Sequence, residues 1–190
     1  MSAPAIFWAP TTSWAPAEQP PYPEPGPEPG LPEYDSGTPT VFQTADWTCS
    51  CASSAWLLNS LSDDRLGHAW DEWDVVDTLR DATYPGAVSP EYGLARADMA
   101  DLETMFNSLG YSVQRKQYVS QDDIAAVAGR YPVQINGARW YHHTGVRAIG
   151  DGVLYLANPS PNWKGVGQEL DSYEAATWGS WNMMAIVGRL

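Results

Sequence analysis

The sequence predicts an α+β domain, and three observations carry that expectation. Apolar residues at helical spacing fill its first part, as in Leu102, Met105, Phe106 and Leu109. From Pro132 onward, short apolar and β-branched runs alternate with turn residues. Between an extended N-terminal segment and the first helical run lies Gln43-Thr44-Ala45-Asp46-Trp47-Thr48-Cys49-Ser50-Cys51-Ala52-Ser53-Ser54-Ala55-Trp56, where small residues lead into a helix. Helices first and an antiparallel sheet second is the α+β arrangement.

Residues 1–38 read as a disordered, acidic, proline-rich arm, and residues 39–190 as one folded domain. Pro20, Pro21, Pro23, Pro25, Pro27, Pro29 and Pro32 alternate with Glu24, Glu28, Glu33 and glycines, a composition that samples polyproline II and buries too little to fold alone. Ile6, Phe7, Trp8 and Trp14 at its tip are costly to leave in water, so the tip is expected to dock, on its own domain or on a protein partner. The first helix then runs from Cys49 with Leu57, Leu58 and Leu61 as its buried side. Trp70, Trp73, Val76 and Leu79 keep a helical beat through residues 68–81. A third helix ends at Gly110, an exposed strand covers 111–118, and Ser120 with Asp123 caps a short helix through Val127, ended by Gly129. Strands are expected at 132–136, 144–149, 153–156 and 183–187, with a turn at Gly150-Asp151-Gly152.

Charge and composition narrow the partners. A formal net charge of -13 argues against nucleic acid and against an anionic membrane surface, since both need a basic face. Neither a long apolar run nor a basic residue before Arg65 is present, so neither a membrane span nor a signal peptide is expected. The expected site of synthesis is the cytoplasm, with release to a cell wall or a virion. The 2 cysteines are too close in sequence to staple the fold, which leaves at least one thiol free for chemistry.

The chemistry centres on Cys49. A cysteine at a helix start meets unpaired N–H groups and the positive end of the dipole, and both favour thiolate. Gln43, six residues earlier, could donate an N–H to an oxyanion on the attacked carbonyl. His142, ahead of one strand, is the candidate base. Asn158, after the next strand, could accept from one ring nitrogen and leave the other facing Cys49 if the two strands form a hairpin.

These residues resemble the papain-like cysteine peptidases, in their compact C39-like branch. The matching features are Gln43, Cys49 and Ala52-Ser53, then Trp140-Tyr141-His142-His143-Thr144-Gly145-Val146-Arg147 and Leu154-Tyr155-Leu156-Ala157-Asn158-Pro159. Including Trp163-Lys164-Gly165-Val166, the stretch of about residues 40 to 188 is similar to peptidase modules of actinobacteriophage endolysins. The resemblance implies a papain-like fold, with a helical N-terminal half that carries the nucleophile and a C-terminal antiparallel sheet. It implies Cys49 as nucleophile, His142 as base, Asn158 as orienter and Gln43 in the oxyanion hole, with no cofactor and no metal. It further implies a peptide or peptidoglycan stem peptide as substrate. The sequence departs from the family at Ser50-Cys51, at His143 in a usually aromatic position, and at Asn158 where Asp is commoner. The choice between His142 and His143 rests on the resemblance alone.

Plainer readings exist for each residue. A cysteine in a Ser/Ala-rich helix start packs in a core, adjacent histidines lie on a surface, and Asn-Pro makes a turn. The combined spacing favours function. Cys49, Cys51, His142 and His143 as a zinc set is the weaker alternative, because one residue between cysteines is short of the usual gap. His68 and Glu72 share a predicted helix face and read as an exposed polar pair. Two other function classes stay open: a processing peptidase acting on a protein partner, for example in a phage particle, and an inactive peptidase-fold binding module.

Overall fold

The computed structural model describes residues 35–83, 99–128, 130–137, 142–150, 153–161, 169–170 and 181–190. The arm up to residue 34 and the turn residues 151–152 lie outside them, as does the 163–166 stretch.

A six-stranded antiparallel sheet organises the domain. Its strands are β1 (Tyr111–Val119), β2 (Val133–Gly137), β3 (His142–Gly150), β4 (Val153–Ala157), β5 (Glu169–Leu170) and β6 (Trp181–Arg189), in the order β1-β6-β2-β3-β4-β5. The last strand is inserted between β1 and β2, pairing Met184 with both Arg115 and Gln134. Its sequence explains the placement. Met183, Met184, Ala185 and Ile186 are all fully buried, which only a strand covered on both faces allows. Met184 and Ile186 point into one hydrophobic cluster, Met183 and Ala185 into a second on the opposite face, with the two-residue period of a strand.

Helices α1 (Cys49–Ser60), α2 (Glu72–Ala82) and α3 (Met99–Ser108) supply the first cluster, and α4 (Gln121–Val127) packs in the second. Apart from Asn59, α1 is buried all round, its serines included, so its buried side is far wider than the three leucines suggest. It is the central helix of the domain. The α2 helix starts at Glu72, later than the periodicity predicts, because Asp71 caps it. The Asp71 carboxylate accepts from Trp73 N at 2.7 Å and Asp74 N at 3.0 Å, and Asp74 returns the bond to Asp71 N. Trp70 is buried outside the helix, held by Asn59 Oδ1 at 2.8 Å and by the Asp63 carbonyl at 3.1 Å. Among the other expectations, Gly110 ends the third helical run with φ 83°, and Ser120 with Asp123 forms the capping box of α4. That short helix ends at Val127, with extended Ala128 next. The β3 strand begins at His142 and not at Thr144, and the short β5 had no signal in the sequence. Among the described residues, no helix is long and apolar enough to cross a membrane.

One close approach sets the distance between α1 and the sheet. Gly145 on β3 lies against the Trp56 ring, and a Cβ there would stand 2.3 Å from Trp56 Cε3. The indole N–H of Trp56 donates to the Thr38 carbonyl at 3.0 Å, and the Arg147 guanidinium lies over the ring while donating to Ser36 O, Thr38 O and Thr40 Oγ1. These bonds fasten the chain from 36 to 40 across the domain and deliver Gln43 to its place. Gly145→Ala should therefore lower stability by about 1–3 kcal/mol, the usual cost of overpacking, as read from urea denaturation midpoints.

Candidate active site

The structure brings Cys49, His142, Asn158 and Gln43 to one end of the β3–β4 hairpin. Cys49 is the first residue of α1, and its sulfur takes a hydrogen bond from the backbone N–H of His143, the residue after His142 on β3. The His142 Nε2 is 2.9 Å from Asn158 Oδ1, which also accepts from Ser160 N at 3.0 Å. The antiparallel register, with Gly145 opposite Ala157, places both ring and amide at the same end. A carboxamide oxygen only accepts, so the proton sits on Nε2 and Nδ1 keeps a lone pair.

Gln43 reaches the site through its backbone. Its N–H donates to the Pro159 carbonyl at 2.9 Å, tying its loop to the turn that carries Asn158. Its side-chain Nε2 donates to Ala45 O at 2.9 Å, which fixes which end of the amide is nitrogen.

Electrostatics correct one expectation. Burial pushes the Cys49 thiol up, ahead of the backbone N–H groups of His143, Ser50 and Cys49 itself, which pull it down. Burial also pushes His142 down, against its bond to Asn158. With Cys49 only 8% exposed, desolvation outweighs the helix start, and the resting pair is thiol and neutral imidazole. Cys51 faces the core beside α1's other apolar residues, and burial pushes its thiol up to about 12.

His143 is the second correction. It is 2% exposed, not a surface residue, and burial with the neighbouring His142 pushes its pKa down to about 3. Its Nδ1 meets Gln134 Nε2 at 3.0 Å, and the Asn136 amide lies against its Nε2. Gln134 Nε2 also donates to the Ser50 carbonyl at 3.3 Å, while Gln134 Oε1 accepts from Ser54 Oγ at 3.0 Å. A network of buried polar groups thus bolts α1 to β2 and β3. Sequence reasoning missed Gln134 and Ser54. The signal was available: a glutamine between Val133 and Ile135 in a buried strand, and serines on a helix with no wet face. With both nitrogens of His143 engaged and Cys51 in the core, the four candidate zinc ligands form no cluster, and none of three or more such groups occurs among the described residues.

The third correction concerns His68 and Glu72. His68 lies before the helix, exposed, 3.2 Å from Asp74 Oδ2. Glu72 is buried, at 2% exposure.

No protein-family model matches the chain, and no curated protein matches it. A solved structure does: the crystal structure of a double glycine motif protease from AMS/PCAT transporter in complex with the leader peptide. The likeness has a TM-score of 0.55 at 12% identity and covers 84% of this chain and 96% of that chain. The chain therefore has the papain-like peptidase fold in its C39-like form, helices in the N-terminal half and strands in the C-terminal half.

Buried neutral His143 makes stability depend on pH. Its folded pKa of about 3 lies below the ordinary 6.5, so the unfolded chain binds more protons between those values and stability rises with pH there. His142, also pushed down, adds to the same trend. Urea midpoints should fall steadily from pH 7 to pH 4, and His143→Gln should flatten that slope.

Proposed function

We propose that this protein is a cysteine peptidase in which Cys49 is the nucleophile, His142 the base, Asn158 the group that orients it and Gln43 a donor to the oxyanion. The observation that carries the reading is the His142–Asn158 bond at 2.9 Å, made beside a Cys49 sulfur that touches the backbone of the residue next to His142. The peptidase fold of a structural neighbour supports it.

The reaction follows from the tautomer. The basic Nδ1 of His142 takes the thiol proton as the sulfur adds to a substrate carbonyl. Since burial favours the neutral pair, proton transfer accompanies attack and does not precede it. Charge then builds on the carbonyl oxygen, where Gln43 and the N–H groups at the start of α1 can meet it. The imidazolium, steadied by Asn158, returns the proton to the leaving amine. A water activated by His142 then opens the acyl-thioester.

The substrate we propose is a peptidoglycan stem peptide or cross-bridge, on the strength of the resemblance of residues 140–147, 154–159 and 163–166 to endolysin peptidase modules. A wall substrate places the working enzyme outside the cell or on a virion. A second reading, a processing peptidase that cuts a protein partner, is favoured by the structural neighbour, which is described in complex with a leader peptide. Mass spectrometry of products separates them: muropeptide fragments from purified peptidoglycan support the first, and cleavage of double-glycine peptides alone supports the second. Products from neither would leave a binding module.

Iodoacetamide should label Cys49 well ahead of Cys51, as read by peptide mapping. Cys49→Ala should abolish turnover and Cys51→Ala should keep most of it. Loss of the base should lower kcat by roughly 10²–10⁴-fold in His142→Ala, with a smaller loss in Asn158→Ala. Removing the His143 imidazole strands Gln134 and Asn136 in the interior, so the activity of His143→Ala should track its folded fraction.

A further inference from the structure

Glu72 is a buried carboxylate that the reaction above does not use. A carboxylate in the interior is tolerated only when hydrogen bonds replace its water. Those bonds all come from one short loop. Thr44 N lies 2.9 Å from both carboxylate oxygens, Thr44 Oγ1 donates to Oε1, and Thr48 Oγ1 donates to Oε2 at 2.7 Å. The loop is the one between Gln43 and Cys49. Glu72 itself opens α2, where the first-turn peptide dipoles favour a negative charge.

What the loop does with this anchorage is visible at Ala45. Its carbonyl accepts from Gln43 Nε2 at 2.9 Å and from Thr48 N at 3.2 Å, and it lies 2.8 Å from Thr48 Oγ1, whose one proton is shared between this carbonyl and Glu72 Oε2. The direction of the Gln43 amide is therefore set by Ala45 O, and Ala45 lies between the two threonines that Glu72 grips. Thr48 precedes α1 yet makes no side-chain cap on it. Its one hydroxyl proton is shared between Ala45 O and Glu72 Oε2, and its oxygen caps none of the first-turn N–H groups. The rings of Trp47 and Trp73 meet edge to face at 5.7 Å and close the same loop against α2.

We propose that Glu72 is a positioning residue of the oxyanion site: its carboxylate holds the turn at Thr44 and Thr48, and through Ala45 O aims the Gln43 amide. The proposal rests on the peptidase reading of Cys49. Nothing in it requires Glu72 to touch substrate.

Two probes of Cys49 separate aim from nucleophile. Iodoacetamide alkylates sulfur with loss of iodide and builds no oxyanion. A short peptide aldehyde ending in glycinal adds the sulfur to its carbonyl carbon, and the thiol proton passes through His142 to the oxygen; nothing leaves, and the adduct is a thiohemiacetal. Glycinal is chosen because its missing side chain fits any pocket. In Glu72→Gln, one acceptor becomes a donor facing donors. Aldehyde addition should slow by about 10-fold or more, within the range for losing one oxyanion donor, while alkylation stays within about threefold. Gln43→Ala should give the same pattern, and the double variant should be no slower than Gln43→Ala alone, since both changes remove one device. Thr44→Val, which deletes one donor to Glu72, should act in the same direction and serves if Glu72→Gln does not fold. An unchanged aldehyde rate, a parallel fall with both probes, or additive losses in the double variant would overturn the role of Glu72 alone. A wild-type protein that is alkylated at Cys49 but forms no aldehyde adduct would overturn the peptidase reading and this proposal with it.

Discussion

A single buried amide joins the two halves of this domain. Gln134 on β2 bonds Ser50 and Ser54 of α1 on one side and His143 of β3 on the other. Because Cys49 begins that helix and His142 begins that strand, the same bonds set the separation of the two side chains proposed to react. Burial makes the arrangement directional. Leaving any one of these groups unpaired in the interior would cost about 1–3 kcal/mol, so the amide, the imidazole and the two α1 residues hold one another in a single geometry.

Packing works to the same end. Gly145 lets β3 approach Trp56 more closely than any side chain would permit, and α1 comes down on the sheet there. Arg147, three of whose hydrogen bonds go to the 36–40 segment, fastens the chain just ahead of Gln43. The bond from Gln43 N to Pro159 O then closes the circuit with the turn that carries Asn158. Helix, strand, turn and incoming chain are each tied to at least one other, which is how four residues far apart in sequence reach one end of a hairpin.

The same burial decides the electrostatics. An exposed cysteine at a helix start would favour thiolate. Here desolvation wins over the N–H groups around the sulfur, and it acts on His142 in the complementary sense. Burial withdraws solvent from the neutral pair, so an oxyanion site that is already aimed matters more to the developing charge. A fixed Gln43 amide, held by Ala45 O, meets that need.

Much of this was legible in the sequence, where the signal is local. The α+β order, the α3 stop at Gly110, the capping box of α4 and the start of α1 at Cys49 each depend on residues within a turn or two of one another. Gln43, Cys49 and Asn158 stood out by residue type and position, the resemblance alone chose His142 over His143, and the hairpin register brings His142 and Asn158 together. Tertiary structure alone decided what was buried. His143 and Glu72 look like solvated polar residues in the chain, and their places in the interior depend on Gln134, Asn136, Thr44 and Thr48, some of them tens of residues away. The insertion of β6 between β1 and β2 is of the same kind, as is the reversal of the Cys49 shift from dipole-favoured to burial-opposed. The physical reason is common to all of them: propensity and capping act through near neighbours in the chain, whereas desolvation is set by whatever distant segment arrives to cover a group.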